Sequence, residues 1–180
     1  MFRKLLNSEL GRPCLDQYIH LDKSPITVVL DNVRSRHNIG SAFRTSDAFR
    51  AERIILCGIS STPPSPEIHK SALGAEFSVQ WSYRESTVEA IKELKEAGYT
   101  VIGVEQTENS VSSDKFLNGD MMLEKGKKYA VIFGNEVHGI SQDAVNLCDI
   151  TLEIPQWGTK HSLNVSVAIG IVLYILTPRD

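Results

Sequence analysis

Three short segments of the sequence place asparagine, glycine and charged side chains directly after an apolar run. They read DNVRSRHNIGSAFR (31–44), GNEVHGIS (134–141) and PQWGTKHSLN (155–164). Amides and carboxylates bind polar groups through hydrogen bonds, and arginine adds a planar, permanently charged donor. The three segments are therefore the first candidates for a functional site, with simple turn formation as the alternative for their glycines.

Arginine is concentrated around the first of these segments. Arg34, Arg36 and Arg44 lie near the end of a predicted strand, where contact with a phosphate group is expected. Arg50 and Arg53 are instead expected on a solvated helix face. The chain as a whole has a net charge of −3 and therefore lacks the basic footprint that is typical of nucleic-acid-binding proteins.

Glu136 is the carboxylate best placed to accept hydrogen bonds from a substrate or from an asparagine, with capping or a salt bridge as the alternative. His37, His138 and His161 lie in the three segments, but no pair has metal-ligand spacing, so no metal is predicted. The sequence has neither a dinucleotide-binding G-x-G-x-x-G after a strand nor a phosphate-binding G-x-x-x-x-G-K-[ST]. A nucleotide-dependent small-molecule enzyme is therefore disfavoured.

Apolar runs alternate with segments of helical spacing, and this alternation predicts an α/β domain with a mostly parallel sheet flanked by helices. Ligands bind at the carboxyl ends of the strands in such sheets, which is where the three segments fall. Residues 106–120 are expected to be irregular. Strands are predicted at 25–31, 53–59, 99–105, 128–136 and 150–155, and helices at 37–50, after the loop from residue 60, at 86–97, at 141–149 and in the tail.

The tail from Leu163 to Leu176 is apolar but is interrupted by Asn164 and Ser166 and followed by Pro178. A membrane-spanning helix needs roughly 20 apolar residues, so a buried helix and no membrane contact are predicted. The amino terminus lacks the apolar core of a secretory signal. Three scattered cysteines favour a reducing, cytoplasmic environment.

In this order, the segments resemble the three sequence motifs of the SpoU (TrmH-like) class of SPOUT RNA methyltransferases. NIGSAFR (38–44) is similar to the first motif, Asn-x-Gly-x-x-x-Arg, while IFGNEVHGIS (132–141) and IPQWGTKHSLNVSVA (154–168) are similar to the second and third. The resemblance covers most of residues 26–177. One departure is IPQ, where the third motif often reads Ile-Pro-Met.

The resemblance implies a catalytic domain over residues 26–180 with a C-terminal deep trefoil knot, after an N-terminal extension of residues 1–25 that is expected to be helical. It implies methyl transfer from S-adenosylmethionine to a ribose 2′-hydroxyl of RNA, and a homodimer with its site at the subunit interface. Transfer RNA is the first expectation for the substrate and ribosomal RNA the second. A non-catalytic RNA-binding module of the same fold is a further alternative.

The resemblance also assigns roles to individual residues. Arg44 is either a charged stabiliser of the reacting oxygen or a transient base, and both roles remain open. Arg34, Arg36 and Arg44 are expected to contact RNA. The remaining catalytic residues implied are Asn38, Glu136, Ser162 and Asn164, and the implied cofactor contacts are Gly134, Ile154, Pro155, Leu163, Glu105 and Gln106.

Overall fold

A computed structural model describes residues 2–178, in which seven parallel strands form one sheet with the order β3-β2-β1-β6-β4-β7-β5. The predicted α/β architecture is confirmed. The strands are β1 (Ser24–Asp31), β2 (Ala51–Cys57), β3 (Trp81–Arg84), β4 (Tyr99–Val104), β5 (Val111–Ser112), β6 (Lys128–Phe133) and β7 (Ile150–Glu153).

Helices cover both faces of the sheet, so its central strands are apolar on both sides. In β1, Val28 and Leu30 pack into one core with residues of α2 and α8, while Val29 between them packs into a second core with residues of α5. The helices are α1 (Leu15–His20), α2 (Arg36–Ala48), α3 (Pro66–Ala72), α4 (Ala75–Ser78), α5 (Thr87–Glu96), α6 (Asp114–Leu117), α7 (Gln142–Val145) and α8 (Val165–Leu176).

Local capping sets the ends of the helices that approach the site. Ser35 caps α2, because its hydroxyl accepts a hydrogen bond from the backbone N–H of Asn38. Asn164 caps α8 by accepting from the N–H of Ser166. Ser141 precedes α7, but its side chain makes no capping bond.

Several predicted boundaries are wrong. The segment 106–120, predicted to be irregular, contains β5 and α6, because two residues pair with β7 through contacts that no local periodicity reveals. Strand β6 ends at Phe133 rather than at Glu136, since the chain turns there into a loop. Arg53 lies on β2 rather than on a solvated helix, and its guanidinium is 5.8 Å from the ring centre of Tyr99.

The N-terminal extension contains α1 and a three-residue 3-10 helix, Asn7–Glu9. Its separation from the catalytic domain remains a prediction, as does the C-terminal knot. The apolar tail forms α8 and packs against α2, as predicted for a buried helix. Within residues 2–178, no helix is long and apolar enough to cross a membrane.

Candidate functional site

A cavity of about 340 Å³ opens at the carboxyl ends of β4, β6 and β7. Two of the three sequence segments, those after β6 and β7, form most of its wall. The lining residues are Val104, Glu105, Gln106, Phe133–His138, Gly139, Leu152, Glu153, Ile154, Gln156, His161, Ser162, Leu163, Val165 and Ala168.

The loop after β6 is closed on itself by a pair of backbone hydrogen bonds. The N–H of Asn135 donates to the carbonyl of Gly139 and the N–H of Gly139 to the carbonyl of Asn135, each at 2.9 Å. Gly134 has to be glycine for this closure, because a Cβ there would lie 2.1 Å from the backbone of Gly139 and Ile140. The predicted cofactor contact Gly134 therefore shapes the loop as well as lining the cavity.

Two residues absent from the predicted site hold this loop against the sheet. Asn135 donates from Nδ2 to the carbonyl of Asn32 at 2.7 Å and accepts from the N–H of Val137 at 2.9 Å. Asp31, which is 1% exposed, accepts from the N–H of Ser141 at 2.9 Å. Asp31 is the last residue of β1 and the first residue of the segment 31–44, and this position was the available sequence signal.

Glu136 joins the loop to the start of α2. Its carboxylate accepts hydrogen bonds from the backbone N–H groups of Arg34 and Ser35, both at 3.0 Å, and from Nδ2 of Asn38 at 2.9 Å. Burial would raise the pKa of Glu136, but the hydrogen bonds from Asn38, Arg34 and Ser35 outweigh it and lower the pKa below 4.5. The carboxylate is therefore charged at neutral pH.

Asn38 extends this chain of hydrogen bonds to the third segment. Its Oδ1 accepts from Nδ2 of Asn164 at 3.2 Å, and Oδ1 of Asn164 accepts from the hydroxyl of Ser166 at 2.6 Å. The structure thus brings Asn38, Glu136 and Asn164 together from three separate parts of the sequence. These three side chains form one connected set of hydrogen bonds, the Glu136–Asn38–Asn164 network.

Four of the five other predicted cofactor residues line the cavity. Oε2 of Glu105 accepts from the N–H of Ile140 at 2.9 Å, and Nε2 of Gln106 donates to the carbonyl of His161 at 2.8 Å. Leu163 lines the wall with the predicted residues Ser162 and Ile154, whereas Pro155 does not line it.

The predicted RNA-contacting arginines lie outside the cavity. Arg44 is exposed and borders an apolar groove of about 640 Å³ between α2 and α8. It is separated from Asn38 by about 9 Å along the axis of α2, at 1.5 Å per residue. Arg36 donates to Oγ of Ser61 at 3.2 Å, and the side chain of Arg34 is exposed.

Metal chemistry has no ready site in the part of the chain that the structure describes. Across residues 2–178, no group of three or more His, Cys, Asp or Glu side chains could hold a metal ion. The polar groups around the cavity are amides, carboxylates, two imidazoles, a hydroxyl and backbone N–H and carbonyl groups, which bind an organic ligand by hydrogen bonds.

The sequence model of the SpoU rRNA Methylase family matches residues 25–174. Among curated relatives, the 23S rRNA (guanosine-2′-O-)-methyltransferase RlmB of Neisseria meningitidis is 31% identical over 154 residues. These residues make up 86% of this chain and 58% of that relative, so the chain spans less than two thirds of its length.

Solved structures have the same fold. An AdoMet-bound rRNA methyltransferase from Sinorhizobium meliloti matches with a TM-score of 0.76 and 28% identity, over 88% of this chain and 58% of that one. The TrmH/SpoU tRNA modifying enzyme of A. aeolicus also matches with a TM-score of 0.76, at 25% identity, over 89% of this chain and 78% of that one.

Proposed function

Because the chain belongs to the SpoU rRNA Methylase family, we propose that it transfers a methyl group from S-adenosylmethionine to a ribose 2′-hydroxyl of RNA. The observation that carries the proposal is the Glu136–Asn38–Asn164 network, which joins all three sequence motifs beside one cavity. A polar cluster assembled from such distant residues is suited to orienting a substrate hydroxyl.

The chemistry of the cavity fits S-adenosylmethionine. Leu152, Ile154 and Leu163 supply apolar surface for a flat nucleobase, and the carboxylates of Glu105 and Glu136 complement a cationic ligand. The volume of about 340 Å³ lies within the usual range of small-molecule pockets. When bound, the cofactor supplies an activated methyl group on a positively charged sulfur, which is a good leaving group.

The side chains around the cavity orient the acceptor. Asn38 and Asn164 present amide groups that hold the ribose, while Glu136 fixes the position of Asn38 through its charged carboxylate. For Arg44 the charged role is the better one, because a guanidinium stays protonated in proteins. It stabilises the oxygen as negative charge develops there and holds a neighbouring phosphate, while a group other than Arg44 accepts the proton of the hydroxyl.

A homodimer is part of the proposal, because Arg44 does not line the cavity of its own chain. Arg44 borders the groove between α2 and α8, and Val167 on α8 is 49% exposed. A second copy packed along α8 would cover this apolar surface and bring Arg44 of one copy to the cavity of the other. A two-fold interface makes both sites equivalent.

Mixed dimers test this arrangement. Arg44→Ala and Asn164→Ala are each expected to be inactive alone, but a mixed dimer retains one site with both residues intact. Random pairing of the two variants should restore about a quarter of wild-type activity. No recovery after verified exchange of copies would show that Arg44 acts within its own chain.

The activity itself is tested with purified protein. We expect S-adenosylmethionine to bind by calorimetry and labelled methyl groups to appear on RNA. Arg44→Ala should abolish transfer while cofactor binding survives, because Arg44 is proposed to contact the RNA and does not line the cavity of its own chain. Arg44→Lys should also fail, since an ammonium lacks the planar fork. The control Lys92→Ala removes an exposed cation from α5 and should retain activity; near-normal turnover by Arg44→Ala would refute the assignment.

Transfer RNA is the proposed substrate. Of the two solved structures compared, the tRNA modifying enzyme is matched over the larger share of its length, 78% against 58%. Ribosomal RNA is the second candidate, favoured by the name of the Neisseria relative. Either substrate implies a cytoplasmic location. Mapping 2′-O-methyl groups in RNA from a deletion strain and its parent would distinguish the two.

A further inference from the structure

The loop between β7 and α8 exposes a tryptophan. Trp157 is 89% exposed, and among the large apolar side chains of residues 2–178 only Phe2 is more exposed. Tryptophan is highly buried on average in folded proteins, so a side chain this accessible is an informative exception. Neither the network nor the cavity wall accounts for it, since Trp157 does not line the cavity.

The position of Trp157 connects it to the site. Gln156, directly before it, lines the cavity, and so do His161 and Ser162 after it. Trp157 therefore lies on a loop that forms part of the cavity wall, next to a lining residue. Within the described residues, the single hydrogen bond that ties residues 155–163 to the rest of the protein runs from Gln106 to the carbonyl of His161. A loop held this lightly can adjust to a ligand at low cost.

The charge of the loop favours an anionic partner. Residues 155–163 contain Lys160 and His161 and no Asp or Glu. Lys160 is exposed and forms no hydrogen bond or ion pair with any other residue of the described range. The loop thus carries an exposed aromatic ring and, three residues later, an unpaired cation. Proteins bind single-stranded nucleic acid with such groups, the ring stacking on a base and the cation contacting a phosphate.

We propose that Trp157 stacks on an unpaired nucleobase of the RNA substrate next to the ribose being methylated, with Lys160 on an adjacent phosphate. The inference rests on the proposed function and names a substrate contact for it. It also predicts that the target nucleotide lies in a loop or another single-stranded region, because a base inside a helix offers no free face.

The experiment uses Trp157 as its own reporter. The chain has two tryptophans, so Trp81→Phe leaves Trp157 as the only one. In this background a short single-stranded RNA should quench the fluorescence, and a blunt duplex of the same sequence should quench it less. Trp157→Ala should raise KM for RNA by about 5- to 150-fold, the range expected for losing one stacked base. The kcat value and the cofactor Kd should stay within a factor of about two, which is within ordinary variation for a residue outside the chemistry.

Conservative variants separate stacking from a structural role. Trp157→Phe keeps a smaller aromatic face and should recover much of the lost affinity, whereas Trp157→Leu should not. Lys160→Ala should weaken binding of all RNA sequences and reduce its dependence on salt. Trp81→Phe, on β3 at the other edge of the sheet, is the matched control and should leave KM unchanged.

An unchanged KM for RNA in Trp157→Ala would overturn the inference. So would a changed cofactor Kd in this variant, which would place Trp157 in the cofactor site. Loss of the dimer in this variant would also overturn it, because Trp157 would then belong to the subunit interface. Failure of the proposed function gives a different pattern. In that case the wild-type protein would not bind S-adenosylmethionine or transfer a methyl group, whereas quenching of Trp157 by single-stranded RNA would still support the contact.

Discussion

Glu136→Gln tests whether the carboxylate charge holds the site together. Glutamine has nearly the same shape, and its oxygen can still accept from Ser35 and Asn38. Its amide nitrogen, however, replaces the oxygen that accepts from the N–H of Arg34 at 3.0 Å, so two donors would then face each other. Hydrogen bonds to charged groups contribute about 1.5–3 kcal/mol, and the partial exposure of Glu136 reduces this. We expect a loss of about 1–2 kcal/mol in the free energy of unfolding at pH 7.

The pH dependence gives a sharper test. The pKa of Glu136 is lowered in the folded state, so its contribution is fully present above its ordinary value of 4.5 and is lost as the pH falls through the folded value. The stability difference between wild type and Glu136→Gln should therefore narrow below pH 4.5. Urea denaturation of both proteins at several pH values between pH 7 and pH 3 measures this difference. Glu108→Gln, at an exposed carboxylate without a hydrogen bond among the described residues, is the matched control.

A double-mutant cycle with Asn38→Ala isolates one bond of the network. The interaction between Asn38 and Glu136 at 2.9 Å should appear as a coupling energy of about 0.5–1.5 kcal/mol. The structural role of the charge would be refuted if wild type and Glu136→Gln differed by less than about 0.3 kcal/mol in the free energy of unfolding. A difference that does not change with pH would refute it as well. If activity alone were lost, Glu136 would act on the substrate instead.

Three further variants or treatments probe other parts of the fold. Gly134→Ala should destabilise the protein by about 3 kcal/mol or more, measured by thermal unfolding, because its Cβ would overlap backbone atoms; Gly158→Ala, with open space around it, should be nearly neutral. Asp31→Asn should lower the free energy of unfolding by about 2–4 kcal/mol, measured by urea denaturation, because the buried carboxylate oxygen that accepts from the N–H of Ser141 is lost. Burial raises the pKa of Cys57 to about 11, so iodoacetamide at pH 8 should label exposed Cys14 first by mass spectrometry, and early labelling of Cys57 in the folded protein would contradict this.

The central strands were predictable because a strand that is buried on both faces consists of an unbroken run of apolar residues. Val28, Val29 and Leu30 are all fully buried, and they belong to one such run. Strand β5 was not predictable, because its two residues form a strand only through their pairing with β7. Its polar, irregular sequence contains no period that would reveal the partner.

The same contrast holds for the candidate site. Asn38, Glu136 and Asn164 were predicted as site residues from three motifs, and the structure brings them within hydrogen-bonding distance. The supporting role of Asn135 was missed, because it depends on contact with the carbonyl of Asn32, far away along the chain. The sequence also did not predict that Arg44 lies outside the cavity. Helical spacing gives its position along α2, but it does not identify the part of the fold that packs near its side chain.

The strand order has a consequence for how the protein is made. Strand β6 lies between β1 and β4, although both of those strands leave the ribosome before it. Until residues 128–133 emerge, each of these strands has an open edge that can pair with another nascent chain. Contacts of such long range form slowly, and the network of Asn38, Glu136 and Asn164 draws on three distant parts of the sequence. An incomplete chain therefore lacks this network, which cannot assemble before synthesis has passed Asn164.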